Sequence, residues 1–511
     1  MGKDKLYVFY VMGRNKMKYL MGIDLGTSSV KTIVMDYSGT IIAIASEEYP
    51  INTPMKGYAE QHPEIWWEAT VKTIQRVLQK PNVDKHLIKS IGLSGQMHGM
   101  VLIDKTGSVI RPAIIWCDQR SKSQVDELYN KIGKDELGQL TLNPIATGFQ
   151  TASLMWIKEN EPEIYERTYK VILPKDYIRL KLTGEIYTDI TDASSTLAFN
   201  TSKKEWATNL IKNIGLDIEK YPKCGAPTDI AGSVTENASR QTGLMQGTTV
   251  VYGGGDQPMQ AVGNGIVTPG TISSTIGTGG QIFTPINEPI YDKLLRTHTF
   301  CNAVNGTWNI MGASLCAGLS LRWFSENVIK DSDFKKIDCE AMKLLPGCEG
   351  LLFLPYLTGE RTPHMDPNAR GVFFGLSLRH SYVHMARAIM EGVVFALKDS
   401  LEIFGSLGIK ADRIIASGGG TKSKLWLQIQ SDIFGREVYT TKTTEQACVG
   451  AAIVAGVGCG IYSDVQEACN IVVRLNEDIT LPSKENSSAY EHYYSIYKEL
   501  YKRNKDLFSL L

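Results

Sequence analysis

Two stretches of this chain, about 250 residues apart, follow the same plan of strand, Gly-Thr turn and strand. In the first, Lys18–Asp24 is apolar, Gly26-Thr27-Ser28-Ser29 turns it, and Val30–Asp36 returns. Tyr37-Ser38-Gly39-Thr40 then leads into Ile41–Tyr49, a third strand. In the second, Thr271–Ile276, Gly277-Thr278-Gly279-Gly280 and Gln281–Thr284 repeat the pattern, and Thr307–Met311 offers a third strand. A unit repeated at this spacing is no solenoid and predicts two domains with related cores. The 511 residues allow two large domains or three smaller ones. Glycine and proline cluster at Val262–Pro269, where the join is expected. The expected domains are residues 17–265 and 266–511, with residues 1–16 a non-native or disordered extension. Leu6–Met12 is a short apolar run between Lys5 and Arg14 with no small-residue cleavage site after it, so Met17 and Met21 are alternative starts.

Between and after these meanders the pattern turns helical. His62-Pro63-Glu64 puts proline in a first turn, followed by Ile65, Trp66, Ala69, Ile74, Val77 and Leu78 at helical spacing. Ile88–Leu93 reads as a strand running into Ser94–Gly99. In the second half, Met385 to Leu401 has one apolar face, and Arg413–Ala416 is a strand feeding Ser417–Gly420. Thr443-Thr444-Glu445-Gln446 fits a capping box ahead of a small-residue helix, Ala447–Ala455. The last stretch, about 25 residues, reads as a terminal helix.

Composition excludes some partners. Lys plus Arg and Asp plus Glu both number 54, so there is no basic footprint for nucleic acid and no pull toward anionic membranes. No run approaches the ~20 apolar residues of a membrane helix. Nine cysteines, none in Cys-x-x-Cys spacing, fit a reducing cytoplasm. Nothing in the sequence fixes an oligomeric state; a homodimer is the expectation.

Chemistry concentrates in a few loops. Gly253-Gly254-Gly255-Asp256-Gln257 follows the strand Thr248–Tyr252. Bare backbone there admits a ligand closely, and a carboxylate at a strand end suits a general base, though aspartate is equally an ordinary turn residue. Asp24-Leu25-Gly26-Thr27-Ser28 offers N–H and hydroxyl donors to phosphate oxygens beside a carboxylate that can organise magnesium, or is a plain polar hairpin. Ile276-Gly277-Thr278-Gly279 is its second copy. Gly418-Gly419-Gly420 is a strand-to-helix turn of the kind that approaches nucleotides, but no P-loop or GxGxxG spacing exists in the chain. Gln96-Met97-His98 can bond sugar hydroxyls and pack a C–H face, or is a satisfied loop. Trp116-Cys117-Asp118-Gln119-Arg120 suits a polyol pocket, or is a buried Trp beside a surface ion pair.

Taken in order, these stretches resemble the FGGY family of carbohydrate kinases, from about Tyr19 to about Gly460. Leu173-Pro174-Lys175-Asp176-Tyr177, Gly359-Glu360-Arg361-Thr362-Pro363-His364 and Gly371-Val372-Phe373-Phe374-Gly375 extend the likeness. The resemblance implies an α/β fold of two ribonuclease H-like (actin-like ATPase) domains flanking a catalytic cleft. It implies transfer from ATP, with Mg2+, to the 5-hydroxyl of D-xylulose, other ketoses and polyols being alternatives. Under it, Asp256 is the base and Gln96, Met97, His98 and Gln257 join it around the sugar. Asp24 sits by magnesium. Thr27, Ser28, Gly277 and Thr278 line the phosphates, and Gly419, Gly420 and Ser423 lie near the nucleoside. Gln257 stands where some members have Asn, and Pro258-Met259-Gln260 replaces smaller residues, which leaves sugar selectivity open. A sugar-independent actin-like ATPase and a sugar-sensing regulator are the rivals from other classes.

Overall fold

The computed structural model describes residues 18–511 apart from 332, 411 and 444; the N-terminal extension lies outside them. The chain forms two compact units. In the first, β1 (Tyr19–Leu25), β2 (Ser29–Asp36) and β3 (Ile41–Glu48) make an antiparallel meander. β4 (Ile88–Gly95) pairs parallel with β1, while β5 (Ile230–Ser233) pairs antiparallel with β6 (Thr249–Val251). β6 and the two-residue β7 (Gly254–Gly255) both lie parallel to β4. In the second unit, β8 (Thr271–Ile276), β9 (Gly280–Ile286) and β10 (Trp308–Ser314) form the matching meander. β11 (Arg413–Ser417) joins β8 in parallel, and β12 (Val438–Thr440) joins β11. The orders β3-β2-β1-β4-β6 and β10-β9-β8-β11-β12 are the same topology twice, as the repeated turn anticipates.

The central strands β1 and β4 are covered on both faces and are almost wholly buried, whereas the edge strand β3 alternates in exposure. Tyr19, Met21 and Ile23 pack with Trp66 and Ile74 of the Pro63–Leu78 helix. Leu20 packs on the other side with Cys448 and Ala452 of the Gln446–Gly458 helix. That helix belongs to the first unit, as does all of Thr443–Val473, so the chain does not divide at one point near residue 265. The cause is backbone-to-backbone packing. A Cβ on Gly22 would stand 1.9 Å from the Cys448 carbonyl oxygen, and one on Gly92 would stand 1.9 Å from that of Ala451. Only a helix of small residues against glycine strands can approach so closely. Gly22→Ala is therefore expected to destabilise the protein by about 1–3 kcal/mol, read as a lower thermal unfolding midpoint; an unchanged midpoint would contradict the contact.

The capping box is not formed. The helix starts at Gln446 with Glu445 as its N-cap and no side-chain cap bond, so Thr443 and Gln446 do not hold the N-cap and N3 places. The Gln446 side chain donates to the Thr443 carbonyl at 2.6 Å, and Glu445 pairs with Lys31 at 2.8 Å. The terminal helix, Lys484–Phe508, buries Tyr490, Tyr494 and Tyr497 against Phe395 in the second core. No helix among the described residues is long and apolar enough to cross a membrane.

Candidate active site

Three parallel strands end in register in the first unit. Asp24 lies opposite Ser94, and Ser94 opposite Gly254; Leu25, Gly95 and Gly255 form the next row. The residues beyond these rows, Gln96 and Asp256, therefore emerge side by side. Residues 249–254, which face residues 90–94, hold one residue more than them. Gly253 absorbs it with φ +72, in a place where a Cβ would stand 2.2 Å from the Leu93 carbonyl oxygen.

Asp256 begins the Asp256–Gly263 helix, with Gly255 as its N-cap. Burial pushes its carboxyl up to about 7 and repulsion from Asp24 adds to this, while the N–H and side-chain amide of Gln257 pull it partly back. A carboxylate poised near neutrality is suited to general-base work. Asp24 is raised too, by burial first; a 2.7 Å bond from Ser94 Oγ and the charge of Lys31 oppose the rise. Two partly destabilised carboxylates on strand ends either side of β4 offer the hard oxygen donors that magnesium takes.

The Gln-Met-His loop follows β4. Gln96 donates through Nε2 to Gln61 Oε1 at 3.3 Å, and its buried Oε1 has no partner among the described residues. A ligand hydroxyl would satisfy that acceptor. Met97 is buried against Gly255. His98, at φ +69, packs on Phe149 with ring centroids 4.1 Å apart. Its Nδ1 donates to the Ser195 carbonyl at 3.0 Å, which makes Nε2 the acceptor of the neutral ring. Thr27 Oγ1 accepts from Trp116 Nε1 at 2.9 Å, and Ser28 is exposed. The Trp116–Arg120 stretch reverses one reading: Trp116 is 36% exposed, whereas Asp118 and Arg120 form a 2.8 Å ion pair with side chains 1% exposed. Glu60 completes that pair, and Arg120 stacks on Tyr58.

The remaining candidates meet in the second unit. Gly277, Thr278, Gly419, Gly420 and Ser423 line one cavity of about 1000 Å³. Leu321, Phe334, Ile337, Met390 and Trp426 give it an apolar wall. Ser423 caps the Lys424–Phe434 helix by accepting from Trp426 N at 2.9 Å, and its hydroxyl donates to Asp338. Burial holds the Asp338 carboxyl above its ordinary value. The carbonyls of Gly277 and Thr278 accept from Gly318 N at 2.8 Å and Ala317 N at 3.0 Å, tying the turn to the helix that follows β10. Glu360, pushed by burial to about 7, accepts from Ser314 Oγ at 2.7 Å and Leu315 N at 3.0 Å just ahead of that helix.

Sequence reading missed the apolar wall and Asp338, since neither carries a local motif. It also missed the buried cluster of Lys175 with Asp176, Asp189 and Asp192. The three carboxylates lie close enough to hold a metal ion, but the Lys175 ammonium already occupies the cluster, so it is an ion-pair network. Its signal was present in Leu173–Tyr177; its partners are separated in sequence.

The family model for the N-terminal domain of the FGGY carbohydrate kinases matches residues 19–263, and that for the C-terminal domain matches residues 272–459. The xylulose kinase of Bacillus subtilis is 36% identical over 492 residues, 96% of this chain and 98% of that one. A xyloylose kinase from Brucella ovis superposes with TM-score 0.90 at 31% identity, covering 96% of this chain and 100% of the other. A gluconate kinase from Lactobacillus acidophilus also superposes with TM-score 0.90, at 26% identity over 96% of this chain and 98% of its own.

Proposed function

The chain belongs to the FGGY family of carbohydrate kinases, and from that premise we propose that it transfers the γ-phosphoryl group of ATP to the 5-hydroxyl of D-xylulose. The products are D-xylulose 5-phosphate and ADP. The enzyme is a phosphotransferase acting on a sugar hydroxyl. The choice of sugar is supported by the full-length likeness to xylulose kinases. The observation that carries the mechanism is Asp256, poised near neutrality where three strands end.

Phosphoryl transfer asks for positioning and charge neutralisation more than covalent chemistry. The sugar oxygen bonds to the γ-phosphorus as the bond to the ADP oxygen breaks. The hydroxyl proton passes to the Asp256 carboxylate and from there to solvent. Gln96 Oε1, Met97, His98 and Gln257 hold the sugar. Thr27, Ser28, Gly277 and Thr278 attend the phosphates. The apolar wall around Trp426 takes the adenine, beside Gly419, Gly420 and Ser423. Asp24 would hold Mg2+, which when bound neutralises phosphate charge. Asp24→Ala is therefore expected to raise the Mg2+ concentration for half-maximal rate by at least about tenfold; an unchanged Mg2+ titration would remove Asp24 from that role.

The nine cysteines are free thiols, which supports a reducing compartment, the cytoplasm. The test of the reaction is a panel of sugars with ATP and Mg2+, read by coupled ADP detection. D-xylulose should give the highest kcat/KM among xylulose, ribulose, fuculose, rhamnulose, gluconate and glycerol. ADP release that ignores the sugar would overturn the proposal.

A further inference from the structure

We infer that Thr191 is a positioning residue for the base, acting through Gly255 and anchored by the buried Asp189–Lys175 pair. This rests on Asp256 being the base. β7 is only two residues long, so its ladder to β4 is a weak clamp. The opposite edge is held by a side chain: Gly255 N donates to Thr191 Oγ1 at 2.9 Å. Gly255 is the residue directly before Asp256, so whatever fixes its N–H fixes where the carboxylate points.

The hydroxyl itself has no freedom to turn away. Thr191 Oγ1 donates to Asp189 Oδ1, and a hydroxyl with its one proton committed must face its other partner with a lone pair. Asp189 cannot move either. Its Oδ1 caps the Ile190–Ser194 turn by accepting from Thr191 N at 2.8 Å. Its Oδ2 pairs with Lys175 Nζ at 2.6 Å, both side chains fully buried. Lys175 in turn packs directly against Gly95, the β4 residue in register with Gly255. The network closes on the strand ends from below and gives the Leu173–Tyr177 stretch a task beyond filling the core.

The test is a double-mutant cycle with kinetics on the full-length enzyme. In the wild-type background, Thr191→Val should lower kcat about tenfold and leave the sugar KM within about twofold, and Thr191→Ser should recover most of the loss. In an Asp256→Asn background the same Thr191→Val change should alter turnover less than about twofold, because the base it positions is gone. Circular dichroism and the thermal midpoint establish that each variant is folded. A kcat within twofold of wild type for Thr191→Val, or an equal loss in both backgrounds, would overturn the inference. An Asp256→Asn enzyme with full turnover would instead sink the base assignment, whatever Thr191 does.

Discussion

Replacing Asp256 with asparagine is expected to lower kcat by about 10²–10⁴ while sugar binding stays within a few-fold. The same change should stabilise the protein at neutral and alkaline pH. An aspartate has a pKa of about 3.9 in the unfolded chain, whereas burial and Asp24 bring Asp256 to about 7 in the folded enzyme. Between those values the folded state holds more protons than the unfolded one. The contribution of this group to stability is therefore largest below about pH 4 and falls as pH rises to about 7. The thermal midpoint of the Asn variant should pull ahead of wild type across that window and hold its lead above it. Activity runs the other way: the base must be ionised, so wild-type kcat/KM should fall on the acid side of about pH 7. A variant both fully active and no more stable at pH 8 would contradict this account of Asp256.

Lys175→Met should be the most damaging single substitution outside the site. Lys175 is fully buried and lies 2.6 Å from Asp176, 2.6 Å from Asp189 and 3.0 Å from Asp192. Burial alone would depress its pKa, but the three carboxylates outweigh this and raise it. Arg179 reaches only Asp176 among them, at 3.0 Å. Losing the ammonium strands Asp189 and Asp192 without a cation, which costs about 3–5 kcal/mol. Burial already holds the Asp192 carboxyl well above its ordinary range despite Lys175, and its Oδ1 has no hydrogen-bond partner among the described residues. Asp192→Asn added to Lys175→Met should therefore restore part of the stability. Denaturant unfolding reads both effects; a Lys175→Met protein as stable as wild type would refute the reading of this cluster.

Much of this arrangement is written locally. The two Gly-Thr meanders are legible because strand alternation and turn glycines are short-range, and the Gly253–Asp256 loop because a strand must end there. The reach of Gly22 and Gly92 toward residues 446–458 is not legible: only the folded sheet reveals why a helix from the second half packs on the first unit. The capping box misled because the helix starts two residues later than a Thr443 cap requires, and the pairing of Glu445 with Lys31 from over 400 residues away has no local signal. Asp189, Thr191 and Asp192 carry no motif in sequence; they matter because Lys175 is buried against Asp189 and Asp192, and Thr191 is bonded to Asp189. The apolar wall around Trp426 is assembled from four separate helices and has no signature of its own.

The central claim is that Asp256 draws a proton from one particular hydroxyl as phosphorus arrives. The direct measurement is ³¹P and ¹H NMR of ATP, Mg2+ and D-xylulose incubated with equal amounts of wild-type and Asp256→Asn enzyme. Wild type should yield ADP and one phosphomonoester whose phosphorus couples to the C5 protons, and the variant should yield almost none. A wild-type spectrum with ADP and inorganic phosphate only, a phosphoryl group on another carbon, or equal product from both enzymes would contradict the account.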